Sequence, residues 1–256
     1  MKKIKKMLMN NRCLHKLYYS SGPISLALQK VKGYIYPEIK IDISKHFNEI
    51  NYVISCLNLN AFPMFGTLLC YYRDNDVRNT DDYDYAIIDL NAVIDNVLMH
   101  LRPLGFTLKS LSYVCIDGQD RLVELSFDYK GIRVDIFDLS YESNRIVHRC
   151  PNFRTEKPKL LFFKKGITKT LYKSFFEVKY ESFSLDWDPR IGLNIPSSAY
   201  IEDIFLRHYG SDWNVPKKEN FIDFKHYCFV ENTSYCLLGN DADLFLHLKS
   251  SGLCKL

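Results

Sequence analysis

The stretch Gly66–Ile87, GTLLCYYRDNDVRNTDDYDYAI, decides the reading of this chain. Its end runs into DYDYAIID, which alternates and is rich in tyrosine and isoleucine, so Tyr83–Ile88 is predicted as a strand. Asp82 and Asp84 are two apart. Side chains at that spacing share one strand face, with Cα atoms about 6.5–7 Å apart. Two carboxylates side by side repel each other, and in a cleft a proton or a cation must intervene. A hard divalent ion such as Mg²⁺, which prefers carboxylate, water and phosphate oxygens, suits that pair. A lone pair of this kind is a weak signal, since Asp81 and Asp89 make the region acidic in any case.

A second acid raises the weight of the first two. Asp135 lies in RVDIFDL, an apolar run expected to be a central strand, and an acid between Val134 and Ile136 is costly unless its side faces a site. Asp138, at odd spacing from Asp135, faces the opposite way and reads as a loop or cap acid. At the other end of the opening stretch, Gly66-Thr67 follows a short predicted strand, Phe62–Phe65, and precedes a short helix. Free amides and a hydroxyl at a helix start form an anion site, although the same residues serve equally as an ordinary tight turn. Together the parts describe a phosphoryl-transfer site: amides on phosphate, carboxylates on metal, and a third acid nearby.

Outward from this centre, Ile43, Phe47, Ile50, Val53, Ile54 and Leu57 fall at helical spacing, with Asp42 read as the N-cap. Residues 91–102 read as a helix ended by Pro103 and Gly105. Three strands are expected at Phe106–Ile116, Leu122–Tyr129 and Ile132–Leu139, separated by the turn signals DGQD and YKG, the last two as a hairpin. Beyond residue 150 the pattern weakens. Lys157, Lys159, Lys164, Lys165, Lys169 and Lys173 form a basic stretch, either a solvated face or an attraction for diphosphate. Ser198 is read as the cap of a helix stopped by Gly210, and a last helix as Asp241–Ser250. The fold class is α+β, a mixed β-sheet flanked by helices, with a basic peripheral segment 1–40, a core 41–150, and a helical or mixed part 151–256 completing one compact unit.

Bulk properties narrow the class. The chain has 256 residues, 47% apolar and 25% charged, an ordinary globular balance. A net charge of +4 is low for a general nucleic-acid binder, so no nucleic-acid partner is expected. The eight cysteines form no C-x-x-C pair and read as free buried thiols in a reducing compartment, which implies a cytoplasmic location. The basic start, MKKIKKMLMNNRCLHKLYY, is too broken for a signal peptide; it reads as a foot on an anionic inner membrane surface or as a solvated helix. The seven histidines lack ligand spacing, and no G-x-S-x-G elbow is present.

The stretch Gly66–Ile87 resembles the LicD/fukutin family, whose pattern runs Gly-Ser/Thr-Leu-Leu-Gly, an Arg three residues on, and an acidic cluster ending Asp-x-Asp. LVELSFDYKGIRVDIFDL is similar to that family's third-carboxylate strand, and IPSSAYIEDIFLRHYGSDWNVP to its late signature. Cys70 stands where the family usually has Gly, and Val77-Arg-Asn-Thr-Asp-Asp is nearer the fukutin style than the bacterial one. The resemblance implies a nucleotidyltransferase-like fold and transfer of a phospho-alcohol, of the alditol phosphate or phosphocholine type, from a CDP-linked donor to a glycan acceptor. It implies Asp82 and Asp84 as ligands of Mg²⁺ or Mn²⁺, with Asp135 completing the site or acting as base. Gly66 and Thr67 would hold the donor diphosphate, and Arg73 would pair with phosphate or brace the acidic loop. Tyr209, Asp212 and Trp213 are candidates for the acceptor groove or for packing a helix end. Nucleotidyl transfer to a small molecule and a non-catalytic glycan-binding subunit are the alternatives.

Overall fold

Three two-residue turns organise the middle of the chain. They join four successive strands: β3 (Thr107–Ile116), β4 (Gln119–Tyr129), β5 (Ile132–Glu142) and β6 (Arg145–Pro151). The turns are Asp117-Gly118, Lys130-Gly131 and Ser143-Asn144, and φ is positive at every one of these six residues. That is the mirror-image turn whose twist matches the right-handed twist of the flanking strands, so each pair closes as an antiparallel hairpin. The computed structural model describes residues 44–256, apart from 78, 79, 81, 154, 165 and 218–221. The basic segment 1–40, its expected membrane foot and the Asp42 cap lie outside the described residues.

Ahead of the meander come α1 (Ser44–Ser55), β1 (Ala61–Pro63), α2 (Phe65–Asp74), β2 (Tyr83–Ile88) and α3 (Leu90–Leu101). After it come β7 (Lys159–Lys164), β8 (Ile167–Tyr172), β9 (Phe175–Glu181), β10 (Leu185–Asp188), β11 (Leu193–Pro196), α4 (Ser198–Tyr209), β12 (Cys228–Val230), β13 (Ser234–Gly239) and α5 (Asp241–Ser250). One curled sheet of 11 strands runs β12-β9-β6-β5-β4-β3-β13-β8-β7, with β2 joined to β5 and β1 to β2; β10 and β11 form a separate hairpin. Every pairing in it is antiparallel except β2 with β5.

The expected helical character of 151–256 needs correction. Its described residues form seven strands beside two α-helices. β13 inserts between β3 and β8, so the expected boundary at 150 runs through a shared sheet. The strand period is present in FFEVKYE, where Phe176, Val178 and Tyr180 are buried and Lys179 and Glu181 are exposed. In β7 and β8 the lysines hide it, since β7 is the exposed edge of the sheet and edge strands carry lysine against unwanted pairing. A smaller correction concerns α4. Ser197 holds the cap position and Ser198 is the first helical residue; Gly210 ends the helix at φ 83°.

The sheet is covered on both faces. On one, α1, α3 and α5 bury Ile50, Ile54, Val97 and Leu244 against Tyr85, Val134, Leu125 and Leu237. On the other, α2 and α4 bury Leu68, Ile204 and Phe205 against Ala86, Leu139 and Val178. The alternation of β2 and β5 follows directly. Tyr83, Tyr85, Val134 and Ile136 go to the first layer, and Asp84, Ala86, Asp135 and Leu139 to the second. Among the described residues no helix is long and apolar enough to cross a membrane.

Candidate metal centre

Asp84 sits in a clamp built by the β1–α2 turn. The Met64 amide donates to the Asp84 carbonyl at 3.0 Å, the Gly66 amide donates to Asp84 Oδ2 at 3.0 Å, and the Asp84 amide donates to Thr67 Oγ1 at 2.7 Å. Phe65 turns the chain into this position at φ 45°, a left-handed conformation that costs a non-glycine residue about 1 kcal/mol or more. Its ring is held against Phe137, His148 and His208 at centroid distances of 4.8, 4.7 and 4.4 Å. Glycine follows because space runs out: a Cβ at Gly66 would stand 3.2 Å from Asp84 Oδ2.

The parallel pairing of β2 with β5 sets Asp84 directly opposite Asp135. Asp82, just ahead of β2, completes the group, and one ligand oxygen from each of the three carboxyls lies within 4.8 Å of the others. Asp84 and Asp135 are buried, whereas the Asp82 side chain keeps about a third of its surface. Burial drives the Asp84 carboxyl well above the usual carboxylate range; Asp82 and Asp135 add to the rise, and the Gly66 amide opposes it. Asp135 is pushed up to about 8 by burial and then by the charge of Glu124, against the pull of Arg133. A divalent cation would relieve this crowding of carboxyls. At Mg²⁺–oxygen distances of about 2.1 Å, ligands stand about 3 Å apart at adjacent octahedral positions and about 4.2 Å apart at opposite ones, so carboxyl oxygens within 4.8 Å of one another would have to draw together to hold the ion.

Two residues of this centre escaped the sequence reading. Arg133 Nε donates to Asp135 Oδ1 at 2.9 Å, its Nη2 reaches Asp135 Oδ2 at 2.7 Å and Glu124 Oε1 at 3.2 Å, and Nε stands 4.0 Å from Asp82 Oδ2. Glu124, on β4, also accepts from Ser112 Oγ at 2.7 Å and Ser126 Oγ at 3.1 Å. The signal was present. Arg133 and Asp135 are two apart on one strand, and counting back from the Lys130-Gly131 turn pairs Ser126 with Asp135 and Glu124 with Phe137.

The remaining candidates do other work. Thr67 is fully buried, its hydroxyl oxygen accepting from the Asp84 amide, and so fixes strand to helix. Gly66 spends its amide on Asp84. Arg73 lies seven residues further along α2, about 10 Å down its axis, and takes the bracing role: Nε and Nη2 hold Asp74 at 2.7 and 2.8 Å, and Nη1 reaches the Trp213 carbonyl at 3.3 Å. Trp213 packs against Phe205 and Tyr72, and Tyr209 is buried in the same cluster. Asp212 is exposed and pairs with Lys217 at 2.6 Å. Tyr209 and Trp213 pack at the end of α4. Of the seven described cysteines, only Cys70 and Cys254 are buried, while Cys56 and Cys228 are exposed, which corrects the expectation of buried thiols.

Compared with known protein families the chain matches none, and no curated protein matches it.

Proposed function

We propose that this protein is a metal-dependent phosphotransferase that moves a phospho-alcohol from a CDP-activated donor to a glycan hydroxyl, on a nucleotidyltransferase-like arrangement of β1, α2, β2 and β5. The observation that supports it is the acid triad: carboxyls from two neighbouring strands, two of them buried, with their oxygens within 4.8 Å of one another. The sequence similarity to the LicD/fukutin pattern falls on the same residues.

Asp82, Asp84 and Asp135 would hold Mg²⁺ or Mn²⁺. When bound, the ion would neutralise charge on the donor diphosphate and on the departing nucleotide. The chain's own contribution is positional. The Gly66 amide and the Thr67 hydroxyl fix Asp84 in register with Asp135, so that the carboxyl oxygens are set before substrate arrives. Asp135, buried opposite Asp84, completes that ligand set or takes the proton of an attacking hydroxyl.

Thermal-shift measurements with CDP-choline, CDP-ribitol and CDP-glycerol, with and without Mg²⁺, test the reading. A ligand at about 100 times its Kd adds about 2.7 kcal/mol to apparent stability, so one donor should raise the melting temperature only when Mg²⁺ is present. Release of CMP marks phospho-alcohol transfer and release of pyrophosphate marks nucleotidyl transfer. A protein stabilised by neither Mg²⁺ nor any of the three donors sinks the proposal.

A further inference from the structure

The guanidinium of Arg133 occupies the place where a cation is wanted. It takes both oxygens of Asp135, one through Nε at 2.9 Å and one through Nη2 at 2.7 Å, and lies 4.0 Å from Asp82. Among the described residues it is the cation that pairs with the triad. Yet its side chain is 55% exposed, whereas Asp135 keeps only 3%. Its guanidinium therefore reaches Asp82, Asp135 and Glu124 from the solvent side.

We propose that Arg133 is a phosphate-binding residue of this site and that a divalent cation releases it for that task. The inference rests on the metal-centre reading above. A metal taking an oxygen from Asp135 competes with the arginine for that carboxylate, because both require its lone pairs. The cation repels the guanidinium, and the long, half-exposed side chain is free to turn. Glu124 at 3.2 Å keeps it from leaving: Ser112 and Ser126 fix that carboxylate, and neither is a candidate metal ligand. A guanidinium held beside the metal presents two parallel N–H groups to a phosphate, the geometry that a lysine lacks. The substrate class it reads is a phosphate ester or diphosphate, bound after the metal. In the metal-free protein the same arginine fills the acid site in place of a cation, so the two ligands bind cooperatively.

The experiment uses the full chain at pH 8, as wild type, Arg133→Ala and Arg133→Lys, with Mn²⁺ alone and CDP as probes, read by titration calorimetry. With its competitor gone, Arg133→Ala should bind Mn²⁺ alone several-fold more tightly than wild type. Its affinity for CDP in saturating Mn²⁺ should fall about 10- to 100-fold, the worth of one charged hydrogen-bonding pair. Arg133→Lys, which keeps the charge without the fork, should recover part of that loss. In wild type, Mn²⁺ and CDP should each strengthen the other by the same factor, and in Arg133→Ala that factor should shrink. Wild type that binds both probes, with CDP affinity unchanged in Arg133→Ala, overturns the role of Arg133 and leaves the metal centre standing. Arg133→Ala that binds Mn²⁺ more weakly than wild type overturns the competition. Wild type that binds neither Mn²⁺ nor CDP overturns this inference together with the function it rests on.

Discussion

Asp135 and Asp138 stand three residues apart on β5, both with about 2% of their surface exposed, and they have opposite fates. Asp138 points to the far face of the strand. There Arg121 Nε donates to it at 3.0 Å and Ser140 Oγ at 3.3 Å, and Arg121 goes on to Asp89 at 3.6 Å. Burial lifts its proton affinity and Arg121 pulls it back down, which is what a structural ion pair does. Asp135 instead shares its face with Asp82, Asp84 and Glu124, and its arginine is half in solvent. Buried acids of one strand thus divide by neighbours: a committed cation makes a brace, and crowding by other acids makes a site. Depth alone distinguishes nothing here.

The largest expected break in this comparison is chemical. Asp84→Ala should lower transfer at least about 100-fold and abolish Mn²⁺ binding, with the circular dichroism spectrum unchanged. Normal turnover in that variant would remove the triad from the mechanism. Asp138→Ala should do the reverse. Removing one partner of a buried pair costs about 3–5 kcal/mol, read as a lower urea midpoint, while Mn²⁺ affinity in the folded protein stays within a factor of two or so. A variant of wild-type stability would show that Arg121 does not depend on Asp138.

The smaller effect sharpens the contrast through pH. The unfolded Asp135 carboxyl loses its proton near pH 4 and the folded one only near pH 8, so between those values the folded chain binds more protons. Stability contributed by this group is therefore present at low pH and declines as pH rises through the window, by at most about 1.4 kcal/mol per pH unit. Asp135→Asn should flatten that decline in metal-free protein. Mn²⁺ should flatten it in wild type, because the ion holds the ionised carboxyls. Parallel melting curves for wild type and Asp135→Asn from pH 5 to pH 8, without metal, would discard the idea that Asp135 is a strained acid.

The parts of the fold that alternate cleanly were legible in the sequence. Tyr83–Ile88 and Asp241–Ser250 fall where the pattern puts them, and the β4–β5 hairpin follows from its Lys130-Gly131 turn. β6 was missed because RIVHRCP buries one polar residue on each face, His148 among aromatic rings and Arg149 between Glu142 and Glu177. No hydrophobicity count finds a strand whose buried charges are satisfied only by its neighbours. Within the site, the three acids could be seen as i, i+2 neighbours and as an acid in an apolar run. The clamp that Thr67 makes on Asp84 could not, because hydrogen-bond partners 17 residues apart leave no local trace. For Arg73, of the two roles the sequence left open, the bracing one appears in its bonds to Asp74.

The solitary parallel pairing has a kinetic consequence. Residues 84 and 135 are joined by a crossover that includes α3 and the whole β3–β4 hairpin, about 50 residues. The hairpins of the meander can each zip from their own turns, whereas β2 must wait for a long loop to close before it gains any partner on β5. Asp84 and Asp135 therefore come together late in folding, and the amides of β2 should be among the first in the sheet to exchange with deuterium.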